Sequence, residues 1–259
     1  MIFCATNKVY FSNDEFTIIQ YNILVYILNL GEIDAVAFDI DGTLYRNLVF
    51  YLMVFPHYLK NWRFFRKFNK VRKLLRADKQ NEQGYDDLYG AQLELLAKEL
   101  GCTRLEAELE LNNIVYEGLR PYFEKINACN GAPELIHRLK TSGFKIALLS
   151  DFPPEQKGEI WGIKKDCDLL LSSELIGALK PSSKPFEELS EKLEVPAERI
   201  LYIGNSHSYD VAGPKKLGMK AGWFVPWIRG MFGIRSKIAD ITFWDYRQLE
   251  KFIFKQASE

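Results

Sequence analysis

Histidine and cysteine are scarce in this chain of 259 residues, with three of the first and four of the second. Cys4, Cys102, Cys129 and Cys167 stand at unpaired spacings with no histidine cluster nearby, which argues against a zinc site and a disulfide framework. A reducing, cytoplasmic setting is therefore expected. Net charge is also missing: 34 Lys and Arg balance 34 Asp and Glu, so nothing draws the whole chain to nucleic acid and any electrostatic attraction has to be local. The third absence is a long, clean apolar run. Residues 17–30 (TIIQYNILVYILNL) come nearest, but Gln20, Asn22 and Asn29 interrupt them, and they fall short of the roughly 20 apolar residues of a spanning helix. No basic leader or small-residue cleavage site flanks the run. Ser12 and Glu15 are spaced as a capping box, so residues 1–32 are expected to be an N-terminal helical extension. Weak membrane contact, an accessory role and a misassigned start are the other readings of this stretch. Stable membrane insertion is not expected.

Beyond residue 32 the chain carries short apolar runs: IDAVAFD (33–39), FKIALLS (144–150), the weaker DLLLSS (168–173), RILYIGN (199–205), KAGWFVP (220–226) and ADITFWD (239–245). Helix-like segments at 133–141, 184–193 and 208–217 lie between the later runs. Alternating strands and helices imply an α/β fold, a Rossmann-like, mostly parallel sheet flanked by helices. Its ligand site should lie beyond the carboxyl ends of the strands. Residues 46–125 break the alternation. They show no clear strand, are rich in helix formers and contain a second capping box, Thr103 with Glu106. They are expected to form an inserted helical cap over a core made of 33–45 and 126–259.

Within that insertion, KNWRFFRKFNKVRKLLRADK (60–79) is strongly basic with interleaved aromatics. A solvated face on an amphipathic helix is the plainest reading; attraction of an anionic substrate and contact with acidic lipid are the alternatives. Trp223, Phe224, Trp227 and Phe232 read as core and loop packing rather than an aromatic binding box, and His207 as a solvent-facing loop residue.

Several strand ends carry polar groups that a strand does not need. AVAFDIDGTLY presents Asp39, Asp41 and Thr43; LLSD presents Ser150 and Asp151; GALKP presents Lys180; IGNSHSYD presents Asn205 and Asp210. Asp41-Gly42 is explicable as a turn, but Asp39 ends an apolar strand, where an unpaired carboxylate is costly to bury. Phosphoryl transfer through an aspartyl phosphate needs such a set. One carboxylate attacks phosphorus while a second protonates the leaving alkoxide and later activates water. A lysine and a hard divalent cation such as Mg2+ offset the repulsion between anions, and hydroxyls with backbone N–H groups hold the phosphoryl oxygens.

The same residues resemble the haloacid dehalogenase-like (HAD) hydrolases, most of which are magnesium-dependent phosphatases. DIDGTLY is similar to the family's first motif, LLSD to its second, GALKP to its third and IGNSHSYDVAGPKKLGM to its fourth. The resemblance runs over residues 33–253 and makes the insertion a C1-type cap. It implies Asp39 as nucleophile and metal ligand, and Asp41 as general acid/base that ligates the metal through its backbone carbonyl. It further implies Ser150, with Thr43 and Asp151, for phosphate binding. Lys180 would orient Asp39 and screen charge, while Asp210 and Asn205 complete a Mg2+ site. A small phosphorylated metabolite is the implied partner.

One position departs from the pattern, because the fourth motif often begins Gly-Asp and this chain has Gly204-Asn205. Asn still offers an oxygen to Mg2+ but removes a negative charge. A conservative variant in which Asp210 carries the charge, a metal-free dehalogenase and a non-catalytic phosphometabolite-binding protein all fit that change, and a phosphomutase would use the same motifs. Asp41 speaks against the dehalogenase.

Overall fold

The computed structural model describes residues 33–256. The expected extension over 1–32, with its Ser12–Glu15 box, lies outside the described residues. Each of the six apolar runs becomes a strand: β1 (Ala35–Phe38), β2 (Lys145–Ser150), β3 (Leu169–Ser172), β4 (Ile200–Gly204), β5 (Lys220–Phe224) and β6 (Ile241–Phe243). They form one sheet in the order β3-β2-β1-β4-β5-β6 with every pairing parallel.

Both faces of the sheet are covered, which is why its strands read as continuous apolar runs rather than alternating ones. Val36, Phe38, Ile146, Leu148, Leu201 and Ile203 pack on one side against Leu135, Ile136 and Leu139 of helix Ala132–Thr141 and Leu249 of helix Tyr246–Gln256. Ala35, Ala37, Ala147, Leu149, Ile200 and Tyr202 pack on the other side against Phe186, Leu189 and Leu193 of helix Lys184–Leu193. Small residues of β1 on this second face let Phe186 meet Tyr202 edge-on, their ring centres 5.0 Å apart. Truncating a fully buried leucine such as Leu148 to alanine costs about 2–5 kcal/mol.

The chain order reverses at β1, whose neighbours are β2 and β4, so the crevice beyond its carboxyl end is the switch point where ligands bind in such sheets. From that point the chain departs into helices before returning to β2. The first two are α1 (Asn47–Lys60) and α2 (Trp62–Ala77), followed by Leu88–Leu100, Arg104–Leu111 and Glu117–Phe123. No strand interrupts them. Asp87 caps the third by accepting from the Gly90 N–H at 2.7 Å, and Thr103 with Glu106 forms the expected capping box on the fourth. These helices bury a second core, with Phe64, Phe68, Val71 and Leu75 of α2 against Leu93, Leu96, Leu111 and Val115, and touch the sheet layer through Leu179 and Phe152.

Where the helical segment leaves and returns, Tyr45 and Ala128 form an antiparallel bridge and the Leu44 carbonyl accepts from Cys129 N–H at 2.7 Å. No helix among the described residues is long and apolar enough to cross a membrane. The expected helix at 208–217 opens wider than an α-helix: a π turn over His207–Val211 leads into a short helix, Ala212–Lys215. That turn leaves Asp210 directed back to the sheet.

Candidate active site

Asp39 extends β1 by one residue, its N–H donating to the Ile203 carbonyl at 2.8 Å, which fixes its side chain in the switch-point crevice. The carboxylate is 4% exposed. Its Oδ1 accepts from Lys180 Nζ at 2.7 Å and its Oδ2 from Thr43 Oγ1 at 2.8 Å. Burial pushes the Asp39 carboxyl up to about 7, with Asp210 and Asp41 adding to the rise and the Lys180 ammonium opposing it.

Lys180 is the cationic hub. Its Nζ donates to Asp39 and, at 2.8 Å, to Asp210 Oδ1, and reaches the Tyr202 hydroxyl at 3.2 Å. Burial alone would depress this amine, but Asp210 and Asp39 outweigh it and hold the lysine well above its ordinary value. Asp210 is kept in place from its other side, its Oδ2 accepting from the Ser206 N–H at 2.9 Å. Gly204 makes this approach possible, since a Cβ there would stand 2.2 Å from Asp210 Cβ.

Asp41 occupies a separate environment and is part exposed. Its Oδ1 accepts from the Tyr45 hydroxyl and its Oδ2 from Ser150 Oγ, each at 2.8 Å. Gly42, the next residue, is closely approached by Asn205 and Asn47. Its φ of +84° suits glycine, and a Cβ would lie 2.2 Å from Asn205 Nδ2. The sharp turn therefore serves both the backbone geometry and a close approach that any side chain would block.

A second lysine joins this pair and has no counterpart in the sequence reading. Lys157 is buried, its Nζ 3.3 Å from Asp41 Oδ2 and 3.4 Å from Ser150 Oγ, between the rings of Phe123 and Phe152. Only its place seven residues after Ser150, in a loop opened by Pro153-Pro154, hints that it folds back over the strand end.

Asp151 lies beside the site, and its carboxylate is turned to the helical segment. Its carboxylate accepts from Arg76 of α2 at 2.5 Å, with Arg72 at 3.9 Å. Burial would raise this acid, yet Arg76, Lys180 and Arg72 overcome it and bring it down to about 2. A carboxylate committed to a guanidinium repels phosphate, so any part for Asp151 in phosphate binding falls to its backbone N–H. The basic helix is correspondingly less solvated than its plainest reading. Arg76 also donates to the Lys180 carbonyl at 3.2 Å and lies over the Tyr209 ring, while Arg72 is buried and pairs with Glu174 at 2.7 Å. Gln92 and Tyr116 also donate to Glu174, completing a polar link between the helical segment and the sheet layer.

The putting together of Asp39, Asp41, Thr43, Ser150, Lys180, Asn205 and Asp210 around one crevice follows from adjacent strand ends. Asp39, Asp41 and Asp210 with Asn205 offer only oxygen donors, the chemistry a hard divalent cation prefers. Among the described residues, no three His, Cys, Asp or Glu side chains form a group able to hold a metal by themselves. Lys180 bridges the two buried aspartates, Asp39 and Asp210. His207 is turned to Trp223 and Ser236, not to the carboxylates. Trp223 and Phe224 are buried as expected, but Trp227 and Phe232 are exposed, because they lie on and just after a short helix beyond β5, Trp227–Met231, none of whose residues is buried.

A family model for haloacid dehalogenase-like hydrolases matches residues 33–218. The chain belongs to this family. It is 28% identical over 105 residues to the glyceraldehyde 3-phosphate phosphatase of Pyrococcus abyssi, a match spanning 39% of this chain and 44% of that protein. It is 27% identical over 205 residues to the Escherichia coli 5-amino-6-(5-phospho-D-ribitylamino)uracil phosphatase YigB, covering 76% of this chain and 85% of YigB. In fold it is similar to the L-2-haloacid dehalogenase of Xanthobacter autotrophicus, with a TM-score of 0.59, 15% identity and coverage of 86% and 98% of the two chains.

Proposed function

We propose that the protein is a Mg2+-dependent phosphatase that hydrolyses a small organic phosphomonoester through an aspartyl-phosphate intermediate. The observation that carries this reading is the division of labour between two aspartates. Asp39 is buried against Lys180 and Thr43, whereas Asp41 is part exposed beside Ser150. A halide leaving group needs no proton, so a second, separately held carboxylate belongs with an alkoxide leaving group.

In the first step Asp39 Oδ attacks phosphorus, the bond from phosphorus to the ester oxygen breaks, and Asp41 gives that oxygen a proton. In the second, Asp41 takes a proton from water as the water oxygen attacks phosphorus, releasing inorganic phosphate and restoring Asp39. Thr43, Ser150 and the N–H of Asp151 would hold phosphoryl oxygens, and Lys180 keeps Asp39 oriented. Asp39, Asp210, Asn205 and the Asp41 carbonyl would hold Mg2+, which when bound lowers the repulsion between nucleophile and phosphate.

We assign the core to 33–45 and 126–259 and a C1-type cap to 46–125, which would exclude water and shape the pocket. The names of the two phosphatase relatives support a phosphorylated sugar or sugar-like metabolite, and the cysteine spacing of the sequence fits a cytoplasmic setting. The deciding experiment is phosphate release from an aryl phosphate with and without Mg2+. Wild type should be active only with the metal, and Asp39→Asn and Asp41→Asn should be inactive. Asn205 and the lysine bridging Asp39 to Asp210 favour a second reading, a metal-free haloacid dehalogenase. Halide release from a 2-haloacid in chelator, with no phosphate release, would select it.

A further inference from the structure

The outer face of α1 is apolar and exposed among the described residues. Phe50 and Val54 turn inward, Phe50 stacking on Phe123 with ring centres 4.8 Å apart. On the opposite side Leu48, Tyr51, Leu52, Phe55, Leu59 and Trp62 recur at helical spacing, with Leu52 69% and Phe55 58% exposed. A contiguous apolar face of this kind marks an interaction site. Its border is basic. From Asn47 to Ala77 the chain contains no Asp or Glu, while Lys60, Arg63, Arg66, Lys67, Lys70 and Lys73 line the exposed turns of α2 and its approach. Arg63 and Arg66 lie on the ring of Trp62 itself.

A second stretch repeats the chemistry. Residues 225–239 also lack any acid, carry Arg229, Arg235 and Lys237, and expose Trp227, Met231, Phe232 (80%) and Ile238. The two stretches meet through Arg46, which precedes α1, lies over the Phe224 ring and donates to the Trp244 carbonyl. The Trp244 ring in turn packs so closely on Gly230 that a Cβ there would be 2.2 Å away. Both stretches emerge from carboxyl ends of strands, the end at which the active site opens.

We propose that α1, the exposed side of α2 and the 227–238 loop together dock on an anionic lipid bilayer. Apolar side chains would enter the boundary between headgroups and acyl chains, with lysines and arginines on the phosphates. Charge decides against a second copy of the chain. Lys70 is already paired with Glu99 of the neighbouring helix, but the stretches 47–77 and 225–239 themselves contain no carboxylate, so a symmetric pairing through them sets cations against cations, whereas an acidic bilayer supplies the missing anions.

The test is co-sedimentation of the full chain with vesicles of phosphatidylcholine, alone or mixed with phosphatidylglycerol. Partition onto the mixed vesicles should be stronger by on the order of tenfold or more and should weaken with salt. Leu52→Glu with Phe55→Glu, and separately Arg63→Glu with Arg66→Glu, should reduce it to the level seen with phosphatidylcholine. Trp227→Ser with Phe232→Ser should weaken it severalfold. Melting temperatures near wild type would show that the variants are folded; if the glutamates lower them, Leu52→Ser with Phe55→Ser replaces that variant. No preference for the anionic vesicles overturns the proposal. So does binding unchanged in the α1 variant, which assigns it to residues 1–32, or a dimer that ignores vesicles and is dissociated by that variant.

Discussion

Lys157 holds its ammonium 3.3 Å from Asp41 Oδ2 with its side chain wholly shielded from solvent. A buried cation beside the carboxylate proposed as acid/base, and within reach of Ser150, stands where charge would move in both steps of the proposed reaction. Lys157→Met keeps the length of the side chain and removes the charge. We expect kcat/KM on an aryl phosphate to fall by about 10- to 1,000-fold, with Lys157→Arg recovering part of the loss. Steady-state kinetics of the two variants checks this; equal activity of wild type and Lys157→Met would remove the residue from the chemistry.

Asn205 lowers the negative charge of the proposed metal site by one. Restoring it with Asn205→Asp should tighten Mg2+ binding by on the order of tenfold, because ligand charge count is a main determinant of affinity at oxygen sites. Calorimetric titration in the absence of substrate reads this directly. The same affinity in both proteins would place the metal elsewhere.

Asp39 is poised at the expense of stability. Its carboxyl is raised to about 7 by burial, so from the unfolded value near 3.8 upward the unfolded chain gives up its proton more readily than the folded one. Folding is therefore penalised increasingly as pH rises from about 4 to 7. Asp39→Asn has no such penalty, and in chelating buffer its melting temperature relative to wild type should climb between pH 5 and pH 8. A gap that is flat or shrinks with pH would contradict this account.

The Arg76–Asp151 pair has the opposite sign. Asp151 is held at about 2, below its ordinary value of 3.8, so its contribution is complete above pH 4 and disappears as pH falls through 2. Asp151→Asn should cost about 1–3 kcal/mol at neutral pH and should flatten the acid limb of stability. Thermal melts between pH 2 and pH 6 measure both effects. Identical acid limbs in the two proteins would mean that the pair does not hold the helices to the sheet layer.

The strands, their parallel arrangement and the polar residues at their ends were legible because burial on both faces writes itself as short apolar runs, and because each polar side chain at such an end is an anomaly; the order of the strands around β1 was not. Thr43, Ser150, Lys180 and Asp210 converge for that reason. Lys157 was illegible, since a loop lysine has no pattern that tells whether it points to water or inward. Periodicity likewise marks which face of α2 is apolar, but not that Arg72 and Arg76 lie at its edge and find Glu174 and Asp151, both far away in sequence. Trp227 and Phe232 misled in the reverse direction, because aromatic identity implies burial and the short helix Trp227–Met231 buries none of its residues.

The neck formed by Tyr45 with Ala128 and Leu44 with Cys129 is the point where two passes of the chain join the helical segment to the sheet layer. Mechanically it is a fulcrum. Rotation about it moves nearby Tyr45 little and α2 farther, so the Arg76–Asp151 and Arg72–Glu174 pairs sit on the long arm of a lever. Both pairs join the helical segment to the sheet layer, so any such rotation has to break the two together.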